Sequence, residues 1–347
     1  MTGALDALGG RFAAYLADRW ERPVTTLHIE QIPGGASRET YRIKVAVEGD
    51  EQGLILRRDP VSSLIETERS LEYRTYEAVF PTSIPVPEPL LLEEDAAPLE
   101  RPFSVMREIG GCESSAQALA APPYLAVRET IGQRKWEILG QLASLDVSDL
   151  GVDAFMAVPD HSARQELDQW SAVIAKDALH PQPIAEATRR WLERNLPEPA
   201  SRLALVHGDY RSGNFLYDED GVIKGVLDWE MAHIGDPLED LAWSLDPLWS
   251  WPERELAGSL LPREQAIRVW EEASGLTVDR AAFRWWQVFA SYKGLAIWIS
   301  STEDFVNGAS KEPILAVAGW LMTDRQNRIL VDRLSPGSEH AYAEPIV

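Results

Sequence analysis

Hydrophobic residues in the first third of the chain recur in two patterns. Leu5, Leu8 and Phe12 begin a series of apolar residues three or four positions apart, which predicts an amphipathic helix ending near residue 22. The apolar runs that follow are short, β-rich and separated by turn-forming residues, so they predict strands. The predicted strands cover residues 25–32, 40–47, 53–58, 89–92 and 101–107, and a helix is predicted over 64–79.

The pattern changes at Gly110-Gly111 and becomes mostly helical beyond that point. We therefore predict an α+β, bilobal fold. A small β-rich N-terminal lobe covers residues 1–110, and a larger, mainly helical C-terminal lobe covers residues 111–347. One β-rich interruption is predicted inside the second lobe, where two short runs flank a turn at residues 218–221 and form a hairpin.

Reactive side chains are concentrated at the two ends of this hairpin. The segment His207-Gly-Asp-Tyr-Arg-Ser-Gly-Asn214 precedes it, and Asp228 follows 14 residues after Asn214. An aspartate, a basic residue, an asparagine and a second aspartate in this order are what phosphoryl transfer from a nucleotide needs. Asp209 would accept or orient the proton of an attacking hydroxyl, and Arg211 would offset charge on the moving phosphoryl group. Asn214 and Asp228 would supply the oxygen ligands that Mg²⁺ prefers.

A family resemblance is carried by this segment together with Val226-Leu-Asp-Trp-Glu230 and Gly235-Asp-Pro-Leu-Glu-Asp240. The chain resembles the aminoglycoside phosphotransferase and choline kinase-like family, whose members have a protein-kinase-like fold. The resemblance implies a Mg²⁺- and ATP-dependent kinase that transfers the γ-phosphoryl group to a small-molecule hydroxyl, with GTP as an alternative to ATP. It leaves the acceptor open among antibiotics, choline, sugars, homoserine, macrolides and hydroxyacyl thioesters.

The resemblance also implies where the nucleotide binds. It places a phosphate-covering turn between the first two strands, an ion pair between the third strand and the following helix, and a linker that contacts adenine. These features correspond to Gly34, Gly35 and Ser37 in the turn, Arg57 and Glu72 in the ion pair, and Met106, Arg107 and Ile109 in the linker.

One position departs from the family pattern. Arg57 stands where kinases usually carry a lysine, in a chain with only six lysines among its 33 basic residues. Arginine still offers a positive charge and a planar fork of donors to phosphate oxygens, but its length and geometry differ from those of lysine. We interpret Arg57 as a substitute for that lysine, with Lys44 on the second strand as the alternative.

Three further polar residues are expected to have structural roles. His207 is expected to pack beneath its loop and to form a hydrogen bond with the backbone. Asp236 and Asp240 are expected to cap the following helix and to brace the loop that carries Asp209.

Composition narrows the range of partners. The chain has 55 acidic and 33 basic residues, a net charge of −22, which argues against nucleic acid and anionic lipid as partners. The single cysteine, the lack of a basic-then-apolar leader and the lack of a long uncharged apolar run predict a cytoplasmic protein without a membrane segment. The expected partner is a small-molecule hydroxyl substrate, and the oligomeric state stays open.

Two other functions are consistent with the same fold. A pseudokinase or scaffold module that binds nucleotide without catalysis is suggested only by Arg57, and the intact Asp209, Asn214 and Asp228 weigh against it. A protein kinase is less well supported, because Gly235 follows Asp228 by only seven positions and leaves no room for an activation segment.

Overall fold

The computed structural model describes residues 2–32, 39–59, 69–309 and 313–335. It divides into two compact units, Met1–Cys112 with Lys224–Glu230, and Glu113–Ile223 with Met231–Val347. This division lies two residues from the boundary expected at residue 110. The short segment with Asp228 belongs to the first unit, and the order of motifs along the chain does not predict this.

The first unit is built on a five-stranded antiparallel sheet with strand order β1-β2-β3-β5-β4. Its elements are α1 (Thr2–Trp20), β1 (Val24–Ile32), β2 (Glu39–Val47), β3 (Asp50–Arg58), α2 (Arg69–Val79), β4 (Pro89–Glu93) and β5 (Phe103–Arg107). Each predicted strand is present. The helix predicted over 64–79 is described from residue 69 onward, and its expected start lies outside the described residues.

The β2–β3 connection is tighter than predicted. Glu48 and Gly49 both have positive φ angles, +53° and +99°, as a two-residue turn of the primed type requires. The ladder therefore continues to the pair formed by Val47 and Asp50, and β3 begins three residues earlier than expected.

The core of the first unit lies between α1 and one face of the sheet. Alternate β2 residues such as Ile43 and Val45 point into it, and Leu8 and Phe12 of α1 cover it. Phe12 meets Phe103 edge to face, with the ring centroids 6.5 Å apart. The spacing of apolar residues in α1 is therefore explained by burial against the sheet.

The second unit is mainly helical. Its elements are α3 (Arg128–Ser144), α4 (Val147–Leu150), α5 (Ser162–Asp177), α6 (Pro183–Arg194), β6 (Ala204–Val206), β7 (Phe215–Tyr217), β8 (Ile223–Val226, whose last three residues belong to the first unit), β9 (His233–Gly235), α7 (Leu238–Ser244), α8 (Arg263–Ser274), α9 (Arg280–Val306) and α10 (Pro313–Leu334). Helix α9 is the centre of this unit and packs against α5, α6, α7 and α10. The predicted α+β organisation, a β-rich unit followed by a mainly helical one, is confirmed.

The predicted turn between β7 and β8 is present. The Asp218 N–H donates to the Val222 carbonyl at 3.1 Å, and the Gly221 N–H donates to the Asp218 carbonyl at 3.1 Å. Strands β6 and β9 pair antiparallel, with Val206 opposite His233. The loop that carries Asp209 thus starts from a paired strand and ends at β7, which leads into this turn. Among the helices of the described residues, none has the length and apolar character of a membrane span.

Candidate active site

Asp209 lies in the loop between β6 and β7, and three side chains of the second unit hold its carboxylate. Arg211 Nε donates to both carboxylate oxygens at 3.1 Å. Asn214 Nδ2 donates to Oδ2 at 2.7 Å, and Trp243 Nε1 donates to Oδ1 at 2.9 Å. The Asp209 side chain keeps 17% of its surface exposed, so the oriented carboxylate is still accessible from solvent. The structure therefore brings Asp209, Arg211 and Asn214 together, as predicted.

The main chain of this loop is held from beneath. Asp240 of α7 accepts hydrogen bonds from the N–H groups of His207 and Gly208, at 2.6 and 3.0 Å. The buried His207 ring accepts the Asp209 N–H at Nδ1, at 3.2 Å. The structural roles expected for His207 and Asp240 are confirmed by these contacts. Asp236 accepts from the Leu238 N–H at the start of α7, which satisfies a free donor of that helix.

The amide of Asn214 is held by hydrogen bonds from its nitrogen, which leaves its oxygen as a candidate metal ligand. Its Nδ2 group donates to the Asp209 carbonyl at 2.9 Å and to the Asp209 carboxylate. Its amide oxygen therefore has no hydrogen-bond partner among the described residues. A neutral oxygen held in place by hydrogen bonds on its own amide nitrogen is suited to a hard cation.

Arg57, Glu72 and Asp228 lie together in the first unit. The Arg57 guanidinium forms an ion pair with the buried Glu72 and lies 3.4 Å from Asp228 Oδ1. Burial opposes the charge on Arg57, but the negative charge of Asp228 and other nearby groups outweighs that effect and raises the pKa of the guanidinium. Arg57 thus stays cationic, and the predicted ion pair between the third strand and the following helix is present.

Asp228 has a strained backbone. Its φ angle is +69°, in the left-handed region that non-glycine residues rarely adopt, and its N–H donates to the Tyr76 hydroxyl at 2.9 Å. Such conformations cost free energy and are concentrated at functional sites. Its carboxylate is about one-third exposed and offers the hard oxygens that a magnesium ion prefers.

The other predicted nucleotide-binding residues fall in different surroundings. Met106 is buried in β5, Arg107 pairs with Glu88 at 2.5 Å, and Ile109 follows the strand half-buried. Lys44, the alternative to Arg57, is exposed and pairs with Glu51 at 3.6 Å, away from Glu72. Gly34, Gly35 and Ser37 lie outside the described residues.

An aromatic row lies beside Asp209, and its contact with the carboxylate, made by Trp243, was not predicted. It is formed by Trp243, Trp249 and Trp298, with successive ring centroids 5.1 and 6.3 Å apart, and the Arg211 guanidinium lies 5.0 Å from the Trp249 ring. Trp243 follows Asp240 by three positions in α7, so both face the loop from one side of the helix. That spacing is the one signal in the sequence that could have indicated the contact.

Lys135 of α3 is a buried lysine beneath the same loop. Its Nζ atom has no hydrogen-bond partner among the described residues and lies 4.7 Å from the centroid of the Trp136 ring and 5.9 Å from that of Tyr210. Burial, and then the positive charge of Arg211, lower the pKa of Lys135 to about 7. This amine is therefore an uncompensated polar group in the core of the second unit.

The antiparallel sheet unit with its arginine–glutamate pair, and the helical unit with its braced aspartate loop, define a kinase-like phosphotransferase fold. The model of the phosphotransferase enzyme family matches residues 28–280, and the chain belongs to that family.

Similar proteins carry several names. Acyl-CoA dehydrogenase family member 11 of Mus musculus is 30% identical over 268 residues, which is 73% of this chain but 32% of the mouse protein. Viomycin phosphotransferase of Streptomyces vinaceus is 30% identical over 152 residues, 41% of this chain and 49% of that protein. A solved structure of a candidate aminoglycoside phosphotransferase from Ralstonia eutropha superimposes with a TM-score of 0.74 at 20% identity, covering 93% of this chain and 97% of that one. The chain thus spans about a third of the mouse relative.

Replacing Lys135 with methionine is expected to stabilise the protein in a pH-dependent way. In the unfolded chain this lysine titrates near its ordinary pKa of 10.5, whereas in the folded protein it titrates near 7. The cost of burying it is fully present below pH 7 and disappears as the pH rises towards 10.5. Urea unfolding at pH 6.5 should show Lys135→Met to be more stable by on the order of 3 kcal/mol, and the gain should shrink at pH 9.5.

The matched control is Lys176→Met, at a lysine whose side chain is 82% exposed. It should change the free energy of unfolding by less than about 0.5 kcal/mol at both pH values. A gain for Lys135→Met that is the same at pH 6.5 and 9.5 would show that Lys135 does not carry the lowered pKa.

Proposed function

We propose that the protein is a Mg²⁺- and ATP-dependent kinase that transfers the γ-phosphoryl group to a hydroxyl of a small molecule. The observation that carries the proposal is the carboxylate of Asp209, which three donors orient while leaving it accessible. Phosphoryl transfer depends mainly on positioning and on charge stabilisation, and this loop supplies both.

On the acceptor side, Asp209 orients the hydroxyl and receives its proton as the acceptor oxygen bonds to the γ-phosphorus. The bond from that phosphorus to the bridging oxygen of the leaving ADP breaks in the same step. Arg211 lies against Asp209 and offsets charge on the phosphoryl oxygens as they move. Trp243 and Asn214 keep the carboxylate in place during the transfer.

On the nucleotide side, Arg57 donates to phosphate oxygens and Glu72 holds its guanidinium in position. We assign Gly34, Gly35 and Ser37 to the phosphate-covering turn and Met106, Arg107 and Ile109 to the adenine linker. Met106 is buried and the Arg107 side chain is paired, so contacts from the linker to the base would come from main-chain groups.

We propose Asn214 and Asp228 as the magnesium ligands. Both present oxygen donors that fit the ion: a free amide oxygen on Asn214 and a partly exposed carboxylate on Asp228. The bound ion would offset negative charge on the phosphate oxygens of the nucleotide.

A pseudokinase without catalysis is less well supported. It rests on the arginine at position 57, yet Arg57 already forms the expected ion pair with Glu72. An oriented aspartate and two candidate metal ligands have no evident use in a scaffold.

Replacing Asp209 with alanine should abolish phosphoryl transfer and leave nucleotide binding largely intact, since Asp209 contacts the acceptor and not the nucleotide. We expect kcat to fall by at least about 100-fold. A coupled ADP assay measures transfer, and thermal stabilisation by ATP and Mg²⁺ measures binding.

Asp220→Ala, an exposed position in the nearby turn, serves as the control and should keep the parental kcat. Transfer by Asp209→Ala at the parental rate would refute the role of Asp209. The absence of any thermal stabilisation of the parental protein by ATP, GTP and Mg²⁺ would favour the scaffold function instead.

Replacing Arg57 with methionine should weaken ATP binding by about 10- to 100-fold, because a charge-assisted contact to phosphate is lost. Because this change removes the ion-pair partner of the buried Glu72, the double variant Arg57→Met/Glu72→Gln is measured as well. Lys44→Met is the control and should bind ATP like the parent protein. Isothermal titration gives the three Kd values, and a loss confined to Lys44→Met would assign the phosphate contact to Lys44 instead.

We further propose a hydroxyacyl thioester as the acceptor. In the mouse relative named for acyl-CoA dehydrogenase, a segment similar to this chain is joined to a much longer polypeptide. Physical linkage of two segments suggests a shared class of compound. The Arg211 cation beside Asp209 and the aromatic row next to it favour an apolar or anionic acceptor over a polycation.

Medium-chain hydroxyacyl-CoA compounds and viomycin should therefore be compared with ATP and Mg²⁺, with the phosphorylated product identified by mass spectrometry. We expect kcat/KM for a hydroxyacyl-CoA to exceed that for viomycin by at least about 100-fold, equivalent to roughly 3 kcal/mol in transition-state binding. The reverse order would assign the chain to antibiotic phosphorylation, and the kinase proposal itself would stand.

A further inference from the structure

Lys293 of α9 is a buried cation that contacts the main chain beside Asp209. Its side chain is 1% exposed, and its Nζ donates to the Gly208 carbonyl at 2.8 Å and to Glu239 Oε1 at 3.0 Å. A lysine inside a long apolar helix requires partners of this kind, since an unpaired buried ammonium is strongly unfavourable.

The charge of Lys293 is balanced within a buried network. Glu239 also accepts from His233 Nε2 at 3.1 Å, and Glu166 lies 3.6 Å from the same nitrogen. Burial favours the neutral imidazole, but Glu239 and Glu166 outweigh it and raise the pKa of His233 to about 10. Burial likewise opposes the charge on Glu239, yet Lys293 and His233 lower its pKa to about 2.

Glu166, His233 and Glu239 lie close enough together to hold a metal ion. Lys293 and His233 already lie against these carboxylates, and Trp170 also donates to Glu166 at 3.1 Å. The network is therefore explained without a metal, and it reaches the loop that carries Asp209 through the hydrogen bond from Lys293 to the Gly208 carbonyl.

That contact fixes the Gly208–Asp209 peptide. Its carbonyl accepts from Lys293, and its N–H donates to His207 Nδ1 at 3.2 Å, so both polar groups of one peptide plane are held. Gly208 has a φ of +83°, and a Cβ atom there would lie 2.4 Å from the Met231 carbonyl oxygen, so this position requires glycine.

Lys293 is also connected to the carboxylate of Asp209 indirectly, through Trp243. Its Nζ lies 5.3 Å from the centroid of the Trp243 ring, and Trp243 Nε1 donates to Asp209 Oδ1. One ammonium thus supports both the backbone that carries Asp209 and the indole that orients its side chain.

We propose that Lys293 is a positioning residue for phosphoryl transfer: it fixes the Gly208–Asp209 peptide and thereby aims the Asp209 carboxylate at the acceptor. The inference rests on the proposed kinase function. A misplacement of the base by about 1 Å is enough to cost about 100-fold in rate, so a lost peptide contact should appear in kcat.

The test distinguishes two roles of Lys293: positioning the Gly208–Asp209 peptide and balancing the charge of Glu239. Lys293→Met removes the peptide contact and leaves Glu239 without its lysine, whereas Lys293→Met/Glu239→Gln removes the contact and both charges. Glu166→Gln disturbs the same network without touching Gly208. The assay is ATP hydrolysis with Mg²⁺, water serving as the acceptor, below the measured unfolding temperature of every variant.

We expect kcat to fall about 10- to 100-fold in both Lys293 variants, with KM for ATP changed by less than about threefold. Glu166→Gln should lower the unfolding temperature and keep the parental kcat. A purely structural role would instead restore kcat in the double variant along with its stability.

Asp209→Ala is measured in parallel, so that the two proposals fail separately. If Asp209→Ala loses activity while both folded Lys293 variants keep the parental kcat, the positioning role is refuted and the kinase proposal stands. If Asp209→Ala hydrolyses ATP at the parental rate, both are refuted.

Discussion

The helical unit depends on one requirement: the buried polar groups of the peptide that joins Gly208 to Asp209 have to be paired. Its carbonyl is held by Lys293 of α9 and its N–H by the ring of His207, while Asp240 of α7 holds the two preceding N–H groups. Buried backbone groups must be paired, and here the side chains of Lys293, His207 and Asp240 pair them. Helices α7 and α9 therefore have to pack in one register, because a shift of either would leave a buried charge unpaired.

The position of Lys293 shows how a buried charge can be tolerated. Lys293 and Lys135 both lie in the helical unit near the loop that carries Asp209, but of these two described lysines only Lys293 faces carboxylates. At Lys293 burial opposes the charge, but the negative charges of Glu239 and Glu166 outweigh it and raise the pKa. At Lys135 burial, and then the positive charge of Arg211, lower the pKa to about 7. The same residue type thus keeps its proton well above neutral pH in one place and loses it near neutral pH in the other.

Much of the fold and part of the site could be predicted from the sequence. Features that are set by residues close together in the sequence can be predicted from it. They include the strands of the first unit, the turn at 218–221 and the grouping of Asp209, Arg211 and Asn214. Lys293 and Trp243 were missed because they reach the loop from 85 and 34 positions away, through helix packing. A single lysine within the apolar run of α9 was the available signal, since a buried lysine must have a partner.

The arginine at position 57 is better explained by its ability to contact two carboxylates than by a loss of function. Its guanidinium forms the ion pair with Glu72 through Nη1, while Nη2 lies 3.4 Å from Asp228. The planar fork of arginine can address two carboxylates at once, whereas the ammonium of lysine acts as a single point charge. Asp228 has a positive φ at this place, and its carboxylate is the second group that the guanidinium of Arg57 approaches. The departure from lysine therefore couples the third strand to both Glu72 and Asp228.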